Sequence, residues 1–259
     1  MRDLIDEILE MDDYEYSALE DREVVLDVDD RKPVTYFAPW RYICQINVIG
    51  VGHGTGTLIG PKTVLTAAHV AWDIKTKTSH PRINVLQGKN GPDQLQQSEV
   101  EKVVFPSGLI DPVKGWDYNN DKSKWHLDYA ILHLKDRIGV KYGYWSFAHK
   151  IWKDDPIGTS MWSSAYALSK INVNVAGYPG DKGNNFAYWD FDKVIRNDGK
   201  ILFYQNDTAA GQSGAPVFYR KGTRRRVLIG IHSGGGGAGK NRAVFLNKSV
   251  QAFIQKYTK

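Results

Sequence analysis

Three short segments carry residues that could transfer an acyl group. In Val64-Leu65-Thr66-Ala67-Ala68-His69-Val70, an apolar run ends at small residues and delivers a histidine at its end. In His126-Leu127-Asp128-Tyr129-Ala130-Ile131-Leu132, a carboxylate stands just before an apolar run, where burial would strip it of water. In Gly211-Gln212-Ser213-Gly214-Ala215-Pro216-Val217, glycines flank a serine, permitting a sharp turn that aims backbone N–H groups at one point. A serine hydroxyl is a weak nucleophile until a base takes its proton, which a neutral imidazole can do. A buried carboxylate holds that imidazole in the right tautomer and stabilises the imidazolium that forms. Ser213 is therefore the candidate nucleophile, His69 the base and Asp128 its orienting group, with the N–H groups of Gly211 and Ser213 as oxyanion donors. Alone, each segment reads as an ordinary turn or strand end. In this order, with the serine late in the chain, they read as one constellation.

The elements that must position these residues are short strands punctuated by glycine. A first series is expected at Ile43–Val51, Gly56–Ile59, Val64–Ala67, Asn84–Gln87, Val100–Phe105 and Ala130–Leu134. A second is expected at Asn172–Gly177, Lys200–Gln205, Ala215–Tyr219, Val227–His232 and Ala243–Leu246. A Trp- and Tyr-rich stretch from about 135 to 168 links the two. Many short strands at regular spacing indicate a sandwich or barrel. The chain closes in a helix: Val250, Phe253, Ile254 and Tyr257 recur at helical spacing, with Asn247 or Ser249 as cap.

Composition bounds the partners. The 259 residues carry a net charge of +5, unevenly spread. Residues 1–23 hold ten acids and two arginines, a net of −8, against +13 for the remainder. The arm includes a candidate amphipathic helix built on Leu4, Ile5, Ile8, Leu9 and Met11. An acidic arm on a basic body favours docking of the arm on its own surface or on a partner. No apolar run approaches the roughly 20 residues that span a bilayer, so no membrane partner is expected. Cys44 is the single cysteine and reads as a small core residue. His53, His80, His126, His133 and His149 lack metal-ligand spacing, and neither a metal nor a cofactor is expected. Gly234–Lys240 imitates the start of a phosphate-binding loop, but Asn241 follows the lysine and a strand follows where a helix is needed. The basic run around Gly222 reads as a solvated hairpin tip. Nucleic acid is accordingly disfavoured as a partner.

At the three chemical segments the sequence resembles the trypsin-like serine proteases, specifically the bacterial glutamyl endopeptidase or V8-like group, which includes the exfoliative toxins. The likeness covers most of residues 24–259. It extends to Val175-Ala176-Gly177-Tyr178-Pro179-Gly180-Asp181-Lys182, to Ile229-Gly230-Ile231-His232-Ser233-Gly234-Gly235, and to Ala243-Val244-Phe245-Leu246-Asn247. The resemblance implies an all-β fold of two chymotrypsin-like six-stranded barrels packed together, with a C-terminal α-helix. Residues 24–145 would form the first barrel and 146–259 the second with the helix. It also implies a serine endopeptidase working through an acyl-enzyme on peptides with an acidic residue at P1, the position before the cleaved bond. By position in the family pattern, Thr208 and His232 would hold the P1 carboxylate, glutamate above aspartate. Ser233 and Gly234 would pair with the substrate backbone. Ser233 stands where a large aromatic often lies, a departure that bears on the neighbouring subsites.

The resemblance makes the N-terminus informative. Mature V8-like enzymes begin Val-Ile-Leu and carry Asp-Arg a few residues on; here Val24-Val25-Leu26 is followed by Asp29-Asp30-Arg31. Gln212 replaces the aspartate that pairs with the new N-terminus in the animal digestive enzymes. Residues 1–23 then read as a propeptide removed between Glu23 and Val24, whose freed ammonium would assist the P1 site. Met-Arg-Asp-Leu-Ile-Asp-Glu is not a signal peptide, which places the chain in the cytoplasm as read, whereas the resemblance implies secretion. Two other readings stand: a protease restricted to one protein substrate, like the exfoliative toxins, and a protease-fold binding module for acidic partners.

Overall fold

The computed structural model describes residues 24–26, 28–34, 36–145, 171–183, 185–221, 225–237 and 239–258. The acidic arm with its candidate helix, and the Trp- and Tyr-rich link from residue 146, lie outside the described residues.

Among the described residues, fifteen strands run in chain order as β1 (Lys32–Pro33), β2 (Ile43–Val48), β3 (Gly52–Gly60), β4 (Thr63–Thr66), β5 (Trp72–Asp73), β6 (Thr78–Ser79), β7 (Ile83–Gln87), β8 (Gln96–Val104), β9 (Ala130–Leu134), β10 (Asn172–Gly177), β11 (Tyr188–Asn197), β12 (Ile201–Tyr204), β13 (Pro216–Lys221), β14 (Arg225–Gly235) and β15 (Asn241–Phe245). The first barrel closes in the order β2-β3-β4-β9-β8-β7. The second closes as β11-β10-β13-β14-β15-β12, because β11 pairs with β12 as well as β10. Every pairing is antiparallel, and closure leaves neither ring a bare edge of unpaired N–H and C=O groups. The fold is thus two six-stranded antiparallel barrels with one C-terminal helix.

Apolar side chains fall into three main sets. Ile46, Leu58, Val64, Val85 and Leu132 fill the first barrel, with Cys44 among them, its thiol pushed well up by burial. Val175, Val194, Leu202, Val217 and Ile229 fill the second. A third set joins the barrels: Ile59, Leu65 and Ile131 of the first meet Phe218, Leu228 and Val244 of the second. The closing helix, Lys248–Tyr257, drives Val250 and Ile254 into this seam, and Phe253 packs edge-on to Tyr129 at 5.1 Å. Asn247 caps it, its side-chain oxygen accepting from the N–H groups of Ser249 and Val250.

The apolar strands lie close to their expected places, Ala130–Leu134 and Asn172–Gly177 with the same bounds. The polar ones do not. β11 was not expected at all, since charges at Asp190, Asp192, Lys193 and Arg196 hide its alternation. Residues 24–26 and 28–34, expected with the first barrel, lie instead against the second. β1 pairs with β11 through Lys32↔Trp189 and Pro33↔Tyr188, and Val24 bonds to Asn241. Local pattern carries no information about which sheet a two-residue strand joins.

If the helix is a wedge in the inter-barrel seam, Ile254→Ala should destabilise the protein by about 2–5 kcal/mol through the cavity it leaves. Asn247→Ala, which removes only the cap, should cost about 1 kcal/mol. Thermal melts of the two variants check the order; equal shifts would show that the helix merely covers the surface.

Candidate active site

The register between β4 and β9 sets the first half of the site. Thr66 pairs with Ala130, so the end of β4 meets the beginning of β9. His69, just beyond β4 in the short helix Ala68–Ala71, is thereby brought to Asp128, just ahead of β9. One carboxylate oxygen of Asp128 lies 2.8 Å from His69 Nδ1, and the other accepts the His69 backbone N–H at 3.0 Å. Asp128 is 3% exposed. An ionised carboxylate only accepts, so Nδ1 carries the ring proton and the lone pair sits on Nε2 of the neutral imidazole. Tyr118 lies against the ring, centroids 5.4 Å apart.

The turn that carries Ser213 is tied to both barrels through its backbone. Thr55 of β3 donates its N–H to the Ser213 carbonyl at 2.8 Å, while Gly214 donates to the His232 carbonyl of β14 at 2.7 Å. Gly211 and Gly214 take left-handed φ values of 97° and 88°. A Cβ on Gly214 would come within 2.0 Å of the Thr55 carbonyl oxygen, and one on Gly211 within 2.4 Å of the Tyr178 carbonyl oxygen. Both positions therefore need glycine for space as well as conformation. Ser213, His69, Asp128 and Gly211 together line a cleft of about 1010 Å³, whose wall also includes Ser233, Gly234, Trp125 and Arg242.

Thr208 and His232 do not reach that wall. Both are fully buried. The Thr208 hydroxyl has no hydrogen-bond partner among the described residues. His232 Nδ1 is 2.5 Å from the Tyr204 hydroxyl, which donates to the Arg242 carbonyl at 3.1 Å and so is an acceptor toward the imidazole. Val24 lies beside Thr208: its carbonyl accepts from Thr208 N at 3.1 Å and from Asn241 Nδ2 at 2.8 Å, and its own N–H donates to Asn241 Oδ1 at 3.1 Å. The sequence reading missed Asn241, Tyr204 and Trp125. Only Trp125, an aromatic three residues before Asp128, carried a local signal.

The segment after Val24 is held by charge. The buried Arg31 donates to both oxygens of Asp29, each at 2.9 Å, to Asp181, and to Gln212 Oε1 at 3.4 Å. Arg31 and the Lys182 ammonium hold the Asp29 carboxyl well below the usual range. Leu26 N–H donates to Asp207, whose own N–H donates to Asp190. Asp190 is pushed up to about 7, first by burial and then by the Asp30 carboxyl hydrogen-bonded to it. Among the described residues, no group of three or more His, Cys, Asp or Glu is placed to hold a metal ion, and no helix is long and apolar enough to cross a membrane.

Two closed barrels, with a His–Asp pair on the rim of one and a glycine-flanked serine tied between them, define the chymotrypsin-like class of fold. The sequence profile of the family described as Trypsin matches residues 35–255, and the chain belongs to that family. It is 28% identical over 234 residues to a glutamyl endopeptidase of Bacillus licheniformis, covering 87% of this chain and 66% of that protein. It is 28% identical over 246 residues to a glutamyl endopeptidase of Staphylococcus aureus (strain MW2), covering 92% and 66%. The chain thus spans just under two thirds of the length of these relatives. Among solved structures, a Glu endopeptidase in complex with MPD superposes with a TM-score of 0.72 at 24% identity, over 90% of this chain and 98% of that one. The protease Anisep from Arthrobacter nicotinovorans superposes with a TM-score of 0.60 at 12% identity, over 85% and 96%. At those identities the two structures speak for the fold alone.

The raised Asp190 makes docking of residues 24–31 pH-dependent. Docked, Asp190 keeps its proton up to about pH 7; without the Asp30 carboxyl beside it, it would lose that proton at lower pH. The docked state therefore binds the extra proton between these limits, and its stability falls as pH rises through them. Hydrogen exchange at the Leu26 amide, corrected for intrinsic rate, should show stronger protection at pH 5 than at pH 8, and Asp190→Asn should flatten the difference. Equal protection at both pH values in the unaltered protein would contradict this assignment.

Proposed function

We propose that the protein is a serine endopeptidase that cleaves after glutamate, with aspartate weaker, and is made as a zymogen. The observation that carries the reading is the His69–Asp128 pair, with its 2.8 Å contact, on the wall of the cleft that Ser213 also lines. Ser213 Oγ attacks the peptide carbonyl as His69 Nε2 takes its proton, and Asp128 stabilises the imidazolium. The N–H groups of Gly211 and Ser213 receive the developing oxyanion. His69 returns the proton to the leaving amine, and water then repeats the sequence on the acyl-enzyme.

The sheet supports the substrate's placement. β14 stays bonded to the serine-bearing segment as far as His232, whose N–H donates to the Ala215 carbonyl at 2.9 Å. Beyond it, the Gly234↔Arg242 and Gly235↔Asn241 pairs join β14 to β15 alone. Ser233–Gly235 can therefore take an extended peptide as an added strand. The buried Thr208 hydroxyl supplies a donor for a P1 carboxylate, and His232, its Nδ1 proton engaged by Tyr204, supplies a second through Nε2 only as an imidazolium. Val24 supports the zymogen reading: cutting after Glu23 would turn its peptide N–H, now beside Thr208 and Asn241, into an ammonium at the same place. Gln212, a neutral amide bonded to Ala209 N at 3.0 Å and to Arg31, stands where an ion pair would otherwise form.

The restricted-substrate alternative draws on one observation, that Thr208 and His232 do not reach the cleft wall. A peptide series varied at P1 through Glu, Asp, Gln and Leu separates the readings, assayed on the full chain and on protein beginning at Val24. Cleavage after Glu should appear with the Val24 terminus and vanish in Ser213→Ala, a loss of at least about 10⁴-fold. A flat response across the series would refute the acid pocket and leave the catalytic reading intact. An active species still beginning at Met1 would refute the zymogen. Within the pocket, Thr208→Val should lower the preference for Glu over Gln about tenfold, the worth of one charge-assisted hydrogen bond. Equal loss on Glu and Leu peptides would instead mark Thr208 as structural.

A further inference from the structure

Tyr118 lies against the ring of His69. The two centroids are 5.4 Å apart with the ring planes tilted by 38°, and both residues line the cleft. Tyr118 is held there from two sides. Trp116, just before it in the chain, packs edge-on to its ring at 5.7 Å and is itself 3% exposed. Trp116 belongs to one apolar set with Ala68 and Trp72, and its carbonyl accepts from Trp72 Nε1 at 2.9 Å. Ala68 and Trp72 flank His69 in sequence, so a single cluster seats the segment of the histidine and that of the tyrosine. On the other side, Asp117 secures the turn that follows, its carboxylate accepting from the Asn119 N–H at 3.1 Å and from Asn120 Nδ2 at 2.8 Å.

The imidazole does not need this neighbour for its orientation, since Asp128 already engages Nδ1 and the His69 backbone N–H. The consequence of the contact is electronic. The face of an aromatic ring carries partial negative charge, and it attracts a cation within about 6 Å of its centroid more strongly than a neutral group. In the acyl-transfer cycle proposed above, on which this inference rests, His69 is neutral before Ser213 attacks and an imidazolium in the transition state. The contact is then stronger in the transition state than in the ground state, the condition for an interaction to raise kcat. Burial first, and then the carboxylates of Asp117, Asp128 and Asp73, push the Tyr118 phenol up, so its ring stays neutral while His69 changes charge. The other basic groups of the wall are His53, whose Nε2 donates to the Tyr178 carbonyl at 2.8 Å, His80, Lys122 and Arg242; its one carboxylate among the described residues is Asp128. We propose that Tyr118 is a positioning residue of the reaction, acting through His69: its ring face stabilises the imidazolium that carries the proton from Ser213 to the leaving amine.

Titration of the His69 ring by NMR in the full chain tests this without substrate, with His69→Ala to assign the signal. Tyr118→Leu, which keeps an apolar side chain and removes the face, should lower the midpoint by about half a pH unit. Tyr118→Phe, which keeps the face and loses only the hydroxyl, should leave it in place. Increasingly fluorinated phenylalanines at position 118 should lower it stepwise, because fluorine drains the face and keeps its shape. That series decides the matter should Tyr118→Leu fail to fold. In protein beginning at Val24, Tyr118→Leu should reduce kcat on a peptide cut after Glu about threefold, the same shift expressed as a rate, and leave KM unchanged. A midpoint that neither Tyr118→Leu nor the fluorine series moves overturns the proposal, as does one that falls equally in Tyr118→Phe. An unchanged kcat also overturns it. If the unaltered protein cleaves no peptide while the midpoints shift as expected, the proposed function fails and the contact between Tyr118 and the imidazolium stands.

Discussion

The Ser213 carbonyl accepts a hydrogen bond from one barrel, while the N–H of its neighbour Gly214 donates to the other. These two backbone bonds, 2.8 and 2.7 Å long, tie the serine turn into the seam, so the barrels cannot shift relative to each other without breaking one of them. The room for this is extremely small. The position a Cβ would take on Gly214 is already claimed by the Thr55 carbonyl and the Thr66 hydroxyl. Thr66 also donates to the Thr55 carbonyl at 2.7 Å and, through its pairing with Ala130, starts the register that brings Asp128 to His69. The placement of His69 and the placement of Ser213 thus share the residues Thr55 and Thr66.

A second layer of constraint runs along the rim of the second barrel. Thr55 donates its hydroxyl to the Gly211 carbonyl at 2.8 Å and accepts from Tyr178 N at 3.0 Å. Tyr178 opens the turn that carries Asp181, and Asp181 is one of the anchors of Arg31. Arg31 in turn touches Gln212, next to Ser213. A guanidinium is costly to bury unless its N–H groups are met by acceptors. Asp29, Asp181 and Gln212 meet them, which accounts for the close seating of residues 28–34 against this barrel. The N-terminal segment is therefore continuous with the turn that carries Ser213, although the two are about 180 residues apart in the chain.

Charge in the cleft follows the same economy of neighbours. Arg242 is tolerated with little exposure because an indole face covers it and because Gly234 opposite has no side chain to compete for the space. That indole belongs to Trp125, in the segment before Asp128, and it lines the same cleft wall.

Much of this protein was legible in the residues themselves. The three chemical segments stand out as candidates because acyl transfer needs particular atoms in particular local settings: a histidine after small residues, a carboxylate ahead of a buried run, a serine between glycines. Apolar strands such as β9 and β10 were readable because burial on one or both faces leaves a pattern in neighbouring residues. β11 was not, since only three of its ten side chains are buried and its existence depends on partners that are distant in sequence. Nor could the sequence place Val24 beside Thr208 and Asn241, or Arg242 on Trp125. Those contacts join residues whose separation along the chain exceeds one hundred positions. Residue types and local order determined the chemistry this chain can attempt. Strand register and barrel closure, which depend on pairing between remote segments, decided what surrounds that chemistry.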